Sequence, residues 1–448
     1  MKWAKLIGIG LAALLAVLLV LPVFITLDNY IPRIEQEASA RLGEPVKIKS
    51  LKAALMPLPH LTVTGISVGK TEDVKVGKVT VAPELMSLFS SVKVIRTIEI
   101  DGVVLTQKAL ETIPAWGKAD PKAEQQPPRI RVESIRLDDA LIKLGGAGFG
   151  PFDATAKLNQ AGEPESLSIV TRDGKVKLEI KPDKSNYRIE ALAKGWQPPL
   201  GPRLMFDELA IRGVATLNDA ELTDVRARLY GGSVDGSGTV SWKKGIQIKG
   251  KAAVNQVEIR RVLAALGRPA SMSGRLNASP VFSAGAPTAA QLGDVLRLQT
   301  SFDVRSGVLH GVDISKAATS LIGKEGSKGE TRFDQLSGHL AIDRGTRRLT
   351  QIRISSGVLA ADGNVTVSPR DQLSGRINAN VKVAGVSTGV PLNVSGTVQS
   401  PMVFPTGGTV AGAAAGTAIL GPGLGTTTGA KVGGWVEGLF GKKEEGGR

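Results

Sequence analysis

The stretch at residues 377–383 reads INANVKV, in which Ile377, Ala379, Val381 and Val383 alternate with two asparagines and a lysine. A two-residue period gives a β-strand one apolar face and one wet face. We therefore interpret these four residues as a candidate apolar groove face. A closed β-sandwich produces the same alternation, so the pattern leaves open whether the face lines a trough or a core.

Short strands and tight turns continue outward from this stretch through most of the chain. The 448 residues include 54 glycines and 24 prolines, whereas aromatic residues make up only 4 %. Such a composition, with many valines, suits strands and turns and does not suit a helical bundle. We predict a mainly β fold with minor α content: an elongated, curled, mostly antiparallel sheet with short edge helices near residues 28–41, 257–266 and 314–322.

Glycines interrupt the strand alternation at two places in the N-terminal part. Gly65 reverses the phase of the apolar residues within 61–68, and Gly77 reverses it within 74–81. A glycine that reverses this phase is typical of a β-bulge, which bends the strand. We therefore expect β-bulges at both glycines and a sheet that curls.

A faint repeat lies on either side of a Pro-rich polar stretch at residues 114–128. Residues 98–105 match residues 135–142, which predicts two stacked strand–turn–strand units. The stretch between them has no apolar periodicity and is interpreted as a linker or surface excursion. The predicted organisation is an anchor at 1–27, an N-terminal β region at 28–113, the linker at 114–128, a β-rich region at 129–405 and a glycine-repeat tail at 406–448.

The N-terminus carries an apolar run without charge at residues 6–27, preceded by Lys2 and Lys5. About 20 apolar residues suffice to cross the hydrocarbon core, and the preceding lysines place the N-terminus in the cytoplasm. A cleaved signal peptide is the alternative, but its small-x-small site would directly follow a shorter run, and the nearest such site, at 38–40, lies well beyond. We predict an uncleaved single-pass transmembrane anchor. Its candidate residues are Leu6, Leu14, Leu18, Pro22 and Leu27.

The tail contains glycines at four-residue spacing, a pattern known as a glycine zipper. Small residues at this spacing let helices approach closely in a membrane. The candidate membrane or helix contacts are Gly412, Gly416, Gly425 and Gly429. A flexible terminus is the alternative, because glycine favours helices weakly, and the sequence leaves both interpretations open.

Charge and cysteine content limit the classes of partner and chemistry. Cysteine is absent, which excludes disulfides, thiolate metal sites and cysteine nucleophiles. The net charge of +15 favours polyanionic partners such as anionic lipid head groups, although scattered lysines are also what solvated strand faces carry. The basic residues do not cluster with stacking aromatic residues, and the anchor would export the chain, so we expect no nucleic-acid partner.

Nothing in the sequence predicts catalysis. His60, His310 and His339 are far apart and none belongs to a ligand-spaced cluster. The chain has no G-x-S-x-G elbow and no Walker-type phosphate loop. We therefore predict no catalytic residues, no metal site and no cofactor, and a protein that is not an enzyme.

Several motifs, taken together and in order, resemble the AsmA family of bacterial envelope proteins. The N-terminal motifs follow the apolar run, the middle ones surround a tyrosine and a short helix, and the C-terminal ones are the fullest. They are RLG at 41–43, VKI at 46–48, MPLP at 56–59, LTVTGI at 61–66, LYGG at 229–232, VEIRRVL at 257–263, GVLHGVDI at 307–314, TRFDQL at 331–336 and PLNVSGT at 391–397.

The resemblance implies a periplasmic protein held in the bacterial inner membrane. Members of the family resemble bridge-like lipid carriers with a curled sheet whose apolar inner face holds acyl chains, and the family is linked to outer-membrane protein assembly and lipopolysaccharide levels. The implied partners are the inner membrane, phospholipid or lipopolysaccharide, and outer-membrane assembly proteins. The expected function is handling of phospholipid or another amphiphile in support of outer-membrane assembly and homeostasis. The alternative is a scaffold for envelope assembly without lipid cargo, and an enzyme is more distant.

Overall fold

The computed structural model describes residues 27–54, 59–106, 108–109, 130–144, 147–199, 202–319, 328–383 and 386–407. Over these residues the chain is mainly β and forms one large curled sheet, which confirms the predicted β fold; the transmembrane helix that the sequence also predicts stays a prediction. Two compact units divide the chain between Ala193 and Lys194, whereas the sequence placed a division at the Pro-rich stretch. That stretch and the glycine tail from Gly408 onward lie outside the described residues.

The N-terminal unit is a run of strands that pair in nearly sequential order. Both β1 and β2 pair with β3, and β3 to β10 then pair consecutively. The strands are β1 (Val46–Lys47), β2 (Ser50–Ala54), β3 (His60–Val68), β4 (Val74–Pro83), β5 (Lys93–Thr106), β6 (Ile130–Leu144), β7 (Ala147–Leu158), β8 (Pro164–Thr171), β9 (Val176–Asp183) and β10 (Asn186–Trp196).

Strands β5 and β6 are the two copies of the faint repeat, and they pair in parallel. Ile98 lies opposite Ile135 and Leu105 opposite Ile142, so the repeat aligns residue for residue. Each copy is one long strand and not a strand–turn–strand unit. A parallel pair needs a crossover connection of a dozen or more residues, and the Pro-rich stretch is part of that connection. Every other pairing between two strands within the described residues is antiparallel.

A line of irregular backbone crosses β3 to β6 at one level. Gly65, Gly102 and Asp139 have φ values of 63°, 69° and 58°, and Gly77 lies between Gly65 and Gly102 in the register. The β-bulges predicted at Gly65 and Gly77 are wrong, because the β3–β4 register continues unchanged across them. Opposed strands reverse their phase together, so neither strand carries an extra residue. Glycine permits the positive φ that this reversal requires.

Helix α1 (Ile31–Leu42) covers the β1–β2 edge of this unit, as an edge helix is predicted to do. The backbone N–H of Val46 donates to Ser39 Oγ at 2.9 Å, that of Ile48 to Glu35 at 2.6 Å and that of Leu51 to Asp28 at 2.9 Å. These contacts satisfy backbone N–H groups at the edge of the sheet, which could otherwise pair with a strand of another chain. A 3-10 helix (Asp28–Tyr30) precedes α1. Helix α1 ends at Gly43, which has the left-handed backbone conformation.

The C-terminal unit is a meander with one branch. Strands β11 to β14 pair in order, β15 and β16 both join β14 to β17, and β17 to β23 continue in order. The strands are β11 (Phe206–Ala215), β12 (Asp219–Leu229), β13 (Gly232–Ser241), β14 (Ile246–Glu258), β15 (Met272–Ala278), β16 (Val281–Ala286), β17 (Arg297–His310), β18 (Glu330–Asp343), β19 (Thr346–Ser355), β20 (Leu359–Val367), β21 (Leu373–Val383), β22 (Val386–Gly396) and β23 (Pro401–Pro405).

Register shifts bend these strands, which is the physical basis of the expected curl. They fall between Arg212 and Gly213, between Leu222 and Val225, between Val254 and Val257, between Ser337 and His339, and between Leu349 and Ile352. Helices α2 (Ile259–Ala265) and α3 (Ile314–Thr319) lie where the sequence predicts short helices. Further 3-10 helices span Leu85–Phe89 and Ala289–Gln291.

Candidate functional site

The candidate groove face at Ile377 lies inside a closed core. Ile377 and Val381 are each 6 % exposed and Ala379 is fully buried. Leu392 on β22, also fully buried, lies opposite Ile377 in the register. Val383 is the last residue of β21, and its side chain is outside the description. The role of these residues as an acyl-chain contact stays a prediction.

We call this core the closed core and define it as the buried cluster on β17–β23 with α3. Helix α3 contacts β18, β21, β22 and β23. Asp313 caps the helix by accepting the Lys316 N–H at 2.9 Å. Buried Thr331 accepts the Ile314 N–H at 2.9 Å and donates to the Val312 carbonyl at 2.8 Å. The helix is therefore held firmly over the apolar face.

A cluster of charged side chains joins two distant loops of the same unit. Arg268, just after α2, donates to Asp371 at 3.1 Å, and Arg347 on β19 also donates to Asp371. The hydrogen bond from the Arg347 guanidinium holds the pKa of the Asp371 carboxyl below its usual value, and both arginine charges add to the effect. The Arg347 Nε is buried without a hydrogen-bond partner among the described residues. This cluster ties the loop after α2 to the β20–β21 turn.

Strands β11–β14 carry a second apolar face, which we call the open face. Its members point to one side by register: Ile211 lies opposite Val225, Val234 opposite Val254 and Val240 opposite Ile248, while Leu222 lies opposite Gly213 and Gly238, and Ile246 is two residues from Ile248 on the same strand. All of them are half-buried and none reaches the burial of the closed core. They are Ile211, Leu222, Val225, Val234, Val240, Ile246, Ile248 and Val254.

The floor of the open face is made of very small residues. Gly238 on β13 lies opposite Gly250 on β14, and Gly236 lies opposite Ala252. A Cβ on Gly236 would come within 2.7 Å of the Lys251 carbonyl oxygen, so the two strands approach too closely for a side chain there. The centre of the face on β13 and β14 therefore carries no large side chain of its own, and the Phe282 ring of β16 lies over Gly250.

No second layer covers the open face within the part of the chain that the structure describes. Among the helices and strands there, β11, β12 and β13 make substantial contacts only with strands to which they are hydrogen-bonded. One end of the face is the exception: α2 packs there beside Leu229 and Val257, and Val234 and Val254 pack against the same buried cluster. The opposite side of these strands is polar and exposed, with Arg226 and Lys249 among its residues. Apolar side chains thus remain partly in water on a face that alternation would assign to a core.

The N-terminal unit has an apolar face of the same kind. It is closely packed near the line of irregular backbone, where Val103, Ala140, Phe152 and Ala154 are 1–6 % exposed. Away from that line its members are half-buried. They are Ile98, Ile100, Ile135, Leu137, Leu167, Ile169, Leu178 and Ile180, which lie opposite one another along β5 to β9.

The other predicted site residues are mostly outside the description. Leu6, Leu14, Leu18 and Pro22 of the anchor are not described, while Leu27 is half-buried and its N–H donates to the Leu51 carbonyl at 3.1 Å. The described residues contain no helix of sufficient length and apolarity to cross a membrane. The tail residues Gly412, Gly416, Gly425 and Gly429 also lie outside the description. Both predictions therefore stay predictions.

The structure does not bring the three histidines together. His60 lies on β3 and His339 on β18, while His310 Nδ1 lies 2.8 Å from Glu330 and its Nε2 lies 3.3 Å from Arg260. Among the residues described, no three His, Asp or Glu side chains form a group able to hold a metal ion.

Sequence reasoning missed the open face, although its signal is present. Ile246, Ile248, Gly250 and Ala252 alternate with Gln247, Lys249 and Lys251, and Val254 continues the pattern after Ala253. Small residues in the centre weaken the hydrophobic pattern and hide it. Comparison with known proteins bears on this region: the profile of the AsmA family matches residues 208–352, which include the open face and reach into the closed core. No curated protein and no solved structure matches the chain.

Proposed function

Because this chain belongs to the AsmA family through residues 208–352, we propose that it handles phospholipid or another amphiphile in the bacterial envelope. Family membership suggests an envelope-associated function. In the proposal, residues 6–27 hold the chain in the inner membrane by a single pass and the bulk of it lies in the periplasm. The handling of lipid supports outer-membrane assembly and homeostasis.

The half-buried open face is the observation that carries this proposal. The eight aliphatic side chains of this face stay partly in contact with water, because no described element forms a layer over them. Contact of apolar surface with water costs free energy, and a ligand that covers the face removes part of that cost. Each CH₂ group of an acyl chain that leaves water on this face gains about 0.8 kcal/mol. In the proposal the acyl chain lies along the valine and isoleucine side chains of β12–β14, beside the Phe282 ring that lies over Gly250.

The two sides of these strands differ in chemistry, and the apolar side suits a lipid tail better than a globular protein partner. Exposed charged residues such as Arg226, Lys249 and Lys251 face water, while the apolar side offers long strands of aliphatic surface and no hydrogen-bonding side chain in its centre. A lipid tail needs no hydrogen bonds, whereas a protein partner brings polar backbone that must be satisfied. The contribution of the chain is desolvation, not bond making, so the proposal requires no catalytic residue.

The proposal is tested by photo-cross-linking of the full chain in cells. A benzophenone amino acid at Ile248, on the open face, should form adducts whose mass identifies a lipid. The same amino acid at Lys249, one residue along on the exposed polar side, should not. Adducts with proteins at Ile248 and none with lipid would replace the proposal by the assembly scaffold. An absence of adducts at Ile248 above the Lys249 level would also contradict it.

A matched pair of charge substitutions sharpens this test. Val240→Asp places a carboxylate opposite Ile248 in the register, and Thr239→Asp places one opposite Lys249 on the exposed side. The lipid adduct at Ile248 should fall about tenfold or more in the first variant, because desolvating an unpaired carboxylate costs at least about 1.4 kcal/mol. It should stay unchanged in the second. Circular dichroism checks that both variants keep the β fold.

A further inference from the structure

Two large apolar side chains are exposed on the short 3-10 helix Leu85–Phe89, which joins β4 to β5. Met86 is 79 % exposed and Phe89 is 91 % exposed. The segment that presents them is well held. Ser87 is 5 % exposed, its Oγ accepts the Val94 N–H at 2.9 Å and donates to the Glu84 carbonyl at 2.7 Å. A firmly held segment that exposes methionine and phenylalanine marks an interaction surface.

The helix lies at a definite end of the N-terminal unit. Ala54 pairs with His60, Leu61 with Val81 and Pro83 with Ile95, so the last residues of β2 and β4 share this end with the first residues of β3 and β5. The helix begins two residues after β4 ends.

The described chain begins at a point on β2 that lies three residues before the Ala54–His60 pair. Leu27 and Asp28 are hydrogen-bonded to Leu51 on β2. From there α1 runs away from the helix end of the sheet, because Glu35 contacts Ile48 and Ser39 contacts Val46. In the proposed anchoring, the apolar run at residues 6–27 leads directly into this contact with β2, without a linker after Leu27.

The surrounding side chains are those of a membrane–water boundary. Tyr30, three residues after the apolar run, is 59 % exposed. The Lys93 ammonium donates to the Ser90 carbonyl at 2.7 Å, which holds a positive charge beside Phe89. Lys52 on β2 is exposed at this end as well. Aromatic rings and lysines are enriched where protein meets lipid head groups.

Two carboxylates near this end are paired with arginines. Glu84 pairs with Arg96 at 2.8 Å, and Glu133 pairs with Arg131 at 3.4 Å. Asp28 instead accepts the Leu51 N–H at 2.9 Å. Lys52 and Lys93 add positive charge beside these pairs, which suits an anionic head-group surface.

We propose that Met86 and Phe89 insert into the surface of the bilayer that holds the anchor. The occupant of this surface is the lipid interface itself. The contact would rest the helix end of the sheet on the membrane and bring Leu61, a 41 % exposed member of the apolar face, next to the lipid. This inference rests on the proposed anchoring of the chain and adds the place at which lipid reaches the protein.

The absence of cysteine makes a direct test possible with the full chain. Phe89→Cys and Lys70→Cys each provide one labelling site, the second in the exposed β3–β4 turn at the other end of the unit. Each is labelled with an environment-sensitive fluorophore and placed in vesicles of phosphatidylethanolamine and phosphatidylglycerol that contain spin-labelled lipid. We expect the label at residue 89 to be quenched severalfold more than the label at residue 70. Both sites are exposed, so neither change disturbs the fold.

Vesicle flotation distinguishes anchoring of the chain in the membrane from insertion of Met86 and Phe89. If the chain floats with vesicles but both labels are quenched alike, the anchor stands and the inserted helix is overturned. If the chain does not float, the anchoring and this inference both fail. A concentration-dependent shift at residue 89 without quenching would show contact with a second copy and would also overturn the inference. Met86→Ser with Phe89→Ser should leave flotation intact and remove quenching from a label at Ser90→Cys.

Discussion

Strands β11–β14 and strands β17–β23 belong to one unit and alternate in the same way, yet they bury their apolar faces to different degrees. In the closed core Ala379 and Leu392 are fully buried, whereas Val240 and Ile248 on the open face stay half-buried. The two-residue period fixes which side of a strand is apolar. It does not fix what, if anything, lies on that side.

The difference comes from contacts between residues far apart in the chain. In the closed core α3 packs over β21, β22 and β23, and the Asp371 cluster joins loops that are 103 residues apart. On the open face, glycines of β13 and β14 stand where large side chains would otherwise pack against a covering layer. The closed core is thus covered by α3, whereas most of the open face has no described element over it, and this is the part to which the proposal assigns the lipid.

The largest expected difference between the two regions follows from placing the same charge on each. Val381→Asp buries a carboxylate in the closed core, where Val381 is 6 % exposed, and should cost about 3–5 kcal/mol of unfolding free energy. Val240→Asp leaves its carboxylate in reach of water and should cost much less. Thermal unfolding of the full chain, followed by circular dichroism, measures both.

Lys382→Asp is the control for the first change, because Lys382 is exposed on the other side of β21. It should alter stability by less than about 0.5 kcal/mol. Equal damage from Val381→Asp and Lys382→Asp would show that the face assignment is wrong. Equal damage from Val381→Asp and Val240→Asp would remove the distinction between closed and open regions.

Local sequence predicted the local features of the fold. The repeat at residues 98–105 and 135–142 marks two strands that do pair, because neighbours in register share an apolar face. The short helices follow from local patterns and caps such as Asp313. The parallel pairing, the closure over Ile377 and the two openly exposed residues Met86 and Phe89 depend on long-range placement, which no local period encodes.

Shortening an aliphatic side chain should cost more unfolding free energy in the closed core than on the open face, with losses smaller than those expected for a buried charge. Leu392→Ala removes buried methyl groups from the closed core and should cost about 2–5 kcal/mol, through lost burial and the cavity that remains. Ile248→Ala removes a half-buried side chain from the open face and should cost about 1 kcal/mol. Urea titrations of the full chain give both values from the shift of the midpoint at constant slope. A larger loss for Ile248→Ala would mean that the open face is covered.

The smallest expected effect concerns the charged cluster that helps to close the core. Asp371→Asn removes the charge that Arg347 and Arg268 face, and should cost about 1–3 kcal/mol near neutral pH. The pKa of Asp371 is lowered in the folded chain, so its carboxylate stabilises the fold above its usual pKa of 3.8 and loses this contribution as pH falls through the lower folded value. The difference between Asp371→Asn and the unchanged chain should therefore disappear at a pH well below 3.8. Asp343→Asn is the matched control: its partner Arg297 is 63 % exposed, and such a surface pair contributes about 0–1 kcal/mol. If Asp371→Asn and Asp343→Asn cost the same, or if the Asp371 effect persists in acid, the cluster does not help to close the core and the burial around Leu392 must rest on apolar packing alone.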